Sequence, residues 1–206
     1  MSNNCSVVFE SVKNKLIDMR NSEFEIHPFN EVFYIESLLN KTRSILNDVE
    51  LLNDIFKREY YDCQNDNVIL DLLQNIVLTA GGISRFFWPS KKGHYKIRGE
   101  ELRKVYLVDD LNVLKNRDMR NLIEHFDEKL DDFLKEFNSG TVMPKYVGPI
   151  SYVDEARIFF RAYFYDRNIF KIFNVEYKIE PIIDEINRIH EILLLQEEKG
   201  GRFILK

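Results

Sequence analysis

Arg120 and His125 stand five positions apart in the run Arg120-Asn121-Leu122-Ile123-Glu124-His125, with Asn121 directly after the arginine. A guanidinium is a rigid fork of donors that matches a phosphate, and an imidazole moves protons near neutral pH. These are the groups that metal-free cleavage of RNA needs. RNA carries its own nucleophile, the 2′-OH. A base removes its proton as it attacks phosphorus, and the charge gathering on the pentacoordinate phosphate needs a cation. His125 is the candidate base and acid, Arg120 the candidate phosphate ligand, and Asn121 orients His125 or contacts the phosphate. The products would be a 2′,3′-cyclic phosphate and a 5′-OH, with no metal or other cofactor. The same residues also fit a solvated charge face, because Arg120 and Glu124 make a good i,i+4 pair.

The element that must position them is a helix expected from about Asn116 to Phe137. Met119, Leu122, Ile123, Phe126, Leu130, Phe133, Leu134 and Phe137 make one apolar stripe at the helical period. Arg120 and His125 fall on the two flanks of the opposite face. Arg117, Asn121 and His125 form a row at i, i+4 and i+8, and Arg117 is a further candidate for touching phosphate. None of these side chains belongs to the core of a single chain. A groove that excludes water then needs a second surface, and a two-fold dimer with these helices face to face would supply it.

A second candidate region is basic. Residues 85–104 carry seven Lys or Arg against the two acids Glu100 and Glu101, interleaved with Phe86, Phe87, Trp88 and Tyr95. Lys91, Lys92, Lys96 and Arg98 are the candidate substrate-binding cations, able to grip an RNA backbone while rings stack on bases. The plainer reading is a solvated loop whose aromatics pack on the core. Pro89, Gly93 and Gly99 argue for a loop to about Gly99, with a short helix from Glu100 to Val108.

The whole chain is 206 residues with a net charge of −5, so any RNA binding must use a local patch. Cys5 and Cys63 are isolated, which fits a reducing cytoplasm. No signal peptide is expected at the N-terminus, and no apolar run is expected to reach the length that spans a bilayer. Carboxylates and histidines show no metal-ligand spacing. His27 reads as a loop residue, His94 as a weak substrate contact and His190 as structural.

The remaining pattern is mostly helical. Val7 to Met19 suggests a short helix in an N-terminal segment, 1–28. Asn30 is the expected cap of a long helix to about Tyr61, with Phe33, Ile35, Leu38, Leu39, Ile45, Leu46, Val49, Leu52, Ile55 and Phe56 inward. A second helix starts near Asp66. The late pair Gly81-Gly82 reads as close helix packing or a bend rather than a phosphate cradle. Residues 156–165 and 168–178 read as a β-hairpin turning at Asp166-Arg167, and a last helix runs from Pro181 to about Glu197, ended by Gly200-Gly201.

The helix sequence RDMRNLIEHFDEKLDD, residues 117–132, with ISRFFWPS upstream, resembles the signature of the HEPN superfamily, in particular an uncharacterised bacterial branch. That motif is Arg, a polar residue, three variable residues and His, matched here by Arg120, Asn121 and His125. The resemblance covers about residues 30–137. It implies a mainly α fold: a HEPN-like helical bundle over 29–138, with a β-hairpin and final helix (139–206) packed on it as one domain. It also implies a metal-independent endoribonuclease, a homodimer with a composite cleft, and a toxin–antitoxin or phage-defence setting with an antitoxin or partner subunit. The alternative it leaves is a non-catalytic dimeric helical module that binds RNA, a nucleotide or a protein partner. Departing from a smooth RNA surface, Asp127, Glu128, Asp131 and Asp132 make the helix acidic beyond His125.

Overall fold

The computed structural model describes residues 26–57, 65–136, 140–154 and 156–204, with only the backbone at 123 and 124. The helix expected over Val7 to Met19, both cysteines and Phe137 lie outside those residues. The described residues are mostly helical, with a small four-stranded sheet and a long final helix, so the mainly α expectation holds.

Helix α1 (Pro28–Lys57) begins earlier than expected. Proline suits the first helical turn because its φ is preset and its missing N–H costs nothing there. The capping residue is therefore His27, not Asn30. Its Nδ1 accepts from the Phe29 N–H at 3.3 Å and its carbonyl accepts from the Asn30 N–H at 2.7 Å. Ile35, Leu38, Leu39, Ile45, Leu52 and Ile55 are buried, but Phe33 and Phe56 are exposed, against expectation. Phe33 lies two positions before Ile35, roughly 200° around the helix from the buried stripe.

Helix α2 (Asp66–Phe87) is the centre of the core, packed by α1 and by most later elements. Among the described residues it is long and apolar enough, by length and composition, to cross a membrane. This corrects the expectation that no apolar run has that length. Ile69, Leu70, Leu73, Ile76, Val77, Ala80, Ile83 and Phe87 spend its apolar surface on the core.

Helix α3 (His94–Val105) replaces much of the expected loop. Only residues 88–93 connect it to α2. Gly93, at φ +72°, makes the turn, and Gly99 sits inside α3 because a Cβ there would lie 2.6 Å from the Phe87 carbonyl oxygen.

The helix expected over 116–137 is broken into α4 (Arg117–Glu124) and α5 (Phe126–Glu136). Leu134, expected inward, is 61% exposed. Past the break the stripe turns to the sheet: Phe126 packs on Phe160 and Phe173, and Phe133 on Phe173.

The sheet runs β1 (Thr141–Gly148), β2 (Arg157–Phe164), β3 (Ile169–Ile172) and β4 (Val175–Lys178), in that order. The expected hairpin is present, but Phe173, at φ +54°, turns its second half into two short strands. β1 was not legible, because Pro144 interrupts its pattern; such a residue is tolerated at a sheet edge. β1 pairs parallel with β2, Thr141 opposite Arg157 and Gly148 opposite Phe164. The return connection is short for a parallel pair, and it lies on the sheet's outer face. There Ile150 and Val153 cover Phe159, Ala162 and Phe164.

Helix α6 (Ile179–Glu198) closes the core on α1 with Ile179, Ile182, Ile186, Ile189 and Leu193. Polar contacts help to fix it, two of them from buried residues. Thr42 Oγ1 and His190 Nδ1 are 2.8 Å apart, and the buried Tyr106 hydroxyl donates to Gln196 Oε1 at 2.8 Å. Gly200 and Gly201, both at positive φ, end the helix as expected.

Candidate functional site

The site starts from the end of a helix. The last carbonyls of α2 have no partners within the helix and carry its negative dipole end. Three arginines from elsewhere satisfy them. Arg98 Nη2 donates to the Arg85 carbonyl at 3.2 Å, Arg103 Nη1 to the Phe87 carbonyl at 2.6 Å, and Arg120 Nη1 to the Trp88 carbonyl at 2.7 Å. Arg85 returns the link, its Nη2 donating to the Arg120 carbonyl at 2.9 Å.

Glycine brings α4 close enough for this. A Cβ at Gly81 would stand 2.6 Å from the Met119 carbonyl oxygen, so the two backbones touch where any side chain would separate them. The close-packing reading of Gly81 is the correct one. Asn116 opens α4 by accepting from the Asp118 N–H at 2.7 Å, and Met119 and Leu122 are buried beneath it. Arg120 is consequently half-buried, contrary to the expectation that the whole polar face stays outside the core.

His125 sits at the break itself, with φ −135° and ψ 39°. Its N–H still donates to the Asn121 carbonyl at 3.1 Å, while its own carbonyl accepts from the Lys129 N–H at 2.9 Å. It ends α4 and opens α5. Asp127 and Glu128 fall in the first turn of α5, where carboxylates suit the positive end of a helix. Glu128 Oε2 lies 3.0 Å from His125 Nδ1. With Glu128 at Nδ1, Nε2 is the ring nitrogen left to meet a substrate, and the imidazole side chain is 50% exposed. Glu128 is the contact that sequence reading missed: it stands there only as one of four acids beyond His125, though its i,i+3 spacing from His125 is visible.

The broken helix also ends the single-wheel arrangement of Arg120 and His125. Arg120 is engaged on the α2 side, through Trp88, and His125 on the α5 side, through Glu128. Arg117 is exposed and Asn121 half-buried between them.

The basic segment lies beside Arg120. Lys91, Lys92 and Lys96 are exposed, and Arg98 is half-buried. Lys96 pairs with Glu100 at 3.6 Å. Lys91 Nζ lies 5.4 Å from the Tyr95 ring centroid, and the Arg98 guanidinium 5.9 Å from that of Phe86. Trp88 packs edge-on to Phe87, with Arg103 over its ring. Between α2 and the start of α3 an open pocket of about 340 Å³ is lined by Arg85, Phe86, Pro89, Ser90, Lys91, Tyr95 and Arg98.

Among the described residues, no three His, Cys, Asp or Glu side chains cluster to hold a metal ion. His27 caps α1, His190 braces α6, and His94 is exposed against Tyr95. No family model, curated protein or solved structure matches the chain.

Proposed function

We propose that the chain is a metal-independent endoribonuclease of HEPN type, acting as a homodimer in a toxin–antitoxin or phage-defence setting. The observation that carries the reading is the state of His125: a half-exposed imidazole at a helix break, held at Nδ1 by Glu128.

In this mechanism Nε2 of His125 takes the proton of the RNA 2′-OH as that oxygen bonds to phosphorus. Arg120 balances the charge on the phosphate. The bond from phosphorus to the 5′-oxygen breaks, and that oxygen receives a proton from a second imidazole. A second copy of the chain supplies this group, which is why the dimer belongs to the proposal. An apolar groove of about 260 Å³ beside α5 and β1, with Leu134 61% and Val142 68% exposed, supports a second copy packing near the site. Cleavage of RNA in EDTA by the wild-type chain, and not by His125→Ala, is the expected result. Equal background from both proteins removes the enzyme reading.

One observation favours a second reading. Arg120 caps α2 through Trp88, a structural duty sufficient to explain an arginine at that position. On that reading the chain is a non-catalytic module that holds RNA, a nucleotide or a protein partner. It predicts that substituting Arg120 disturbs stability, while substituting His125 does nothing measurable.

A further inference from the structure

The pocket at the α2–α3 corner combines features that the exposed lysines around it do not. Arg85, Lys91 and Arg98 line it, and no acidic side chain among the described residues does. Two of these cations are fixed in place: Arg85 by the Arg120 carbonyl, and Arg98 by the Arg85 carbonyl and the Phe86 ring. Fixed guanidiniums lose little freedom when they engage an anion, and their donors suit phosphate oxygens. Ser90 adds a hydroxyl on the same rim. The first turn of α3 has no acid and no side-chain cap, so no carboxylate in that turn competes with an anion in the pocket; Glu100, further along α3, pairs with Lys96.

The other walls are flat and apolar: Phe86, Pro89 and Tyr95. A volume of about 340 Å³ is far more than a bare phosphate needs. It lies near the lower end, roughly 300 Å³, of sites that take small organic ligands. One phosphate and one ring system fit; a dinucleotide does not.

We propose that this pocket binds one nucleoside phosphate, its phosphate among Arg85, Lys91 and Arg98 and its base against the Pro89 and Tyr95 walls. The ligand is either a free mononucleotide or the phosphorylated end of a single-stranded RNA, which share this chemistry. Binding here does not depend on His125 chemistry. It deepens the ribonuclease reading by giving the strand a fixed end beside Arg120.

Isothermal titration of the full-length chain with AMP, adenosine, inorganic phosphate and a short RNA with or without a 5′-phosphate tests it. AMP should bind at least about tenfold tighter than either adenosine or phosphate, since each lacks one half of the contacts. Lys91→Glu, an exposed change remote from the core, should weaken AMP by about tenfold or more, the loss of one charge-assisted contact replaced by repulsion. Arg98→Lys, which keeps the charge and loses the fork, should weaken it less. His125→Ala should bind AMP as wild type does, whether or not the wild type cleaves RNA. A 5′-phosphate that tightens RNA binding assigns the pocket to RNA ends; AMP binding without that effect assigns it to a free nucleotide. Phosphate binding as tightly as AMP, indifference to Lys91→Glu, or no AMP binding overturns the proposal even if RNA is cleaved.

Discussion

The Arg120 guanidinium reaches from α4 to the Trp88 carbonyl, 2.7 Å away, where α2 gives way to the basic segment. One side chain therefore ties the proposed catalytic helix to the proposed RNA-gripping segment. It also couples fold and activity at that position, which separates Arg120 from His125 experimentally.

Arg120→Ala is expected to lower stability by about 1–2 kcal/mol, the order of a partly buried hydrogen bond from a charged donor. His125→Ala removes an exposed pair with Glu128 and should change stability by less than about 0.5 kcal/mol. Both should abolish cleavage. Urea unfolding beside an RNA cleavage assay checks the split. A stable Arg120→Ala protein would mean that the Trp88 contact is not a working cap.

Gly81→Ala places a methyl against the Met119 backbone at 2.6 Å, and backbone cannot rotate away as a side chain can. The cost of forcing α2 and α4 apart, about 1–3 kcal/mol, exceeds the gain of about 1 kcal/mol in helix propensity. Lower stability and reduced cleavage together are expected, because α4 carries Arg120. Gly82→Ala is the control: its Cβ meets only the flexible end of Lys41, at 3.3 Å, so it should be tolerated.

These two glycines show how far the sequence could be read. Close packing was legible as a class of explanation, but which glycine met which carbonyl was not, since that depends on α4 crossing α2. The apolar stripe located the central helix, yet it hid the break at His125. The stripe stays apolar through Phe126 to Phe133 because the helix turns to face the sheet, and the sheet's position was not in the local pattern. β1 was missed because Pro144 and exposed residues leave an edge strand without clean alternation. The arginine caps on α2 come from residues 98, 103 and 120, a long-range match that no local spacing announces.

His190 gives a pH dependence of stability. Burial first, then the nearby Arg43, lowers its pKa from the ordinary 6.5. The unfolded chain therefore takes up the proton before the folded one does. Stability is fully present above about pH 6.5 and falls as the pH drops through the lower folded value. Urea midpoints between pH 7.5 and 5 should show this fall, and His190→Gln should flatten it. An unchanged slope in the variant would place the proton uptake elsewhere.

The most direct test of the central claim is the chemistry of the cut RNA ends. Purified chain and an unstructured RNA are incubated in EDTA, and the fragments are typed at both ends. The wild type should leave 2′,3′-cyclic phosphate and 5′-OH ends, and His125→Ala none. Fragments with 3′-OH ends, or the same fragments in the same yield from His125→Ala, would contradict a reaction in which the RNA's own 2′-oxygen attacks and His125 moves its proton.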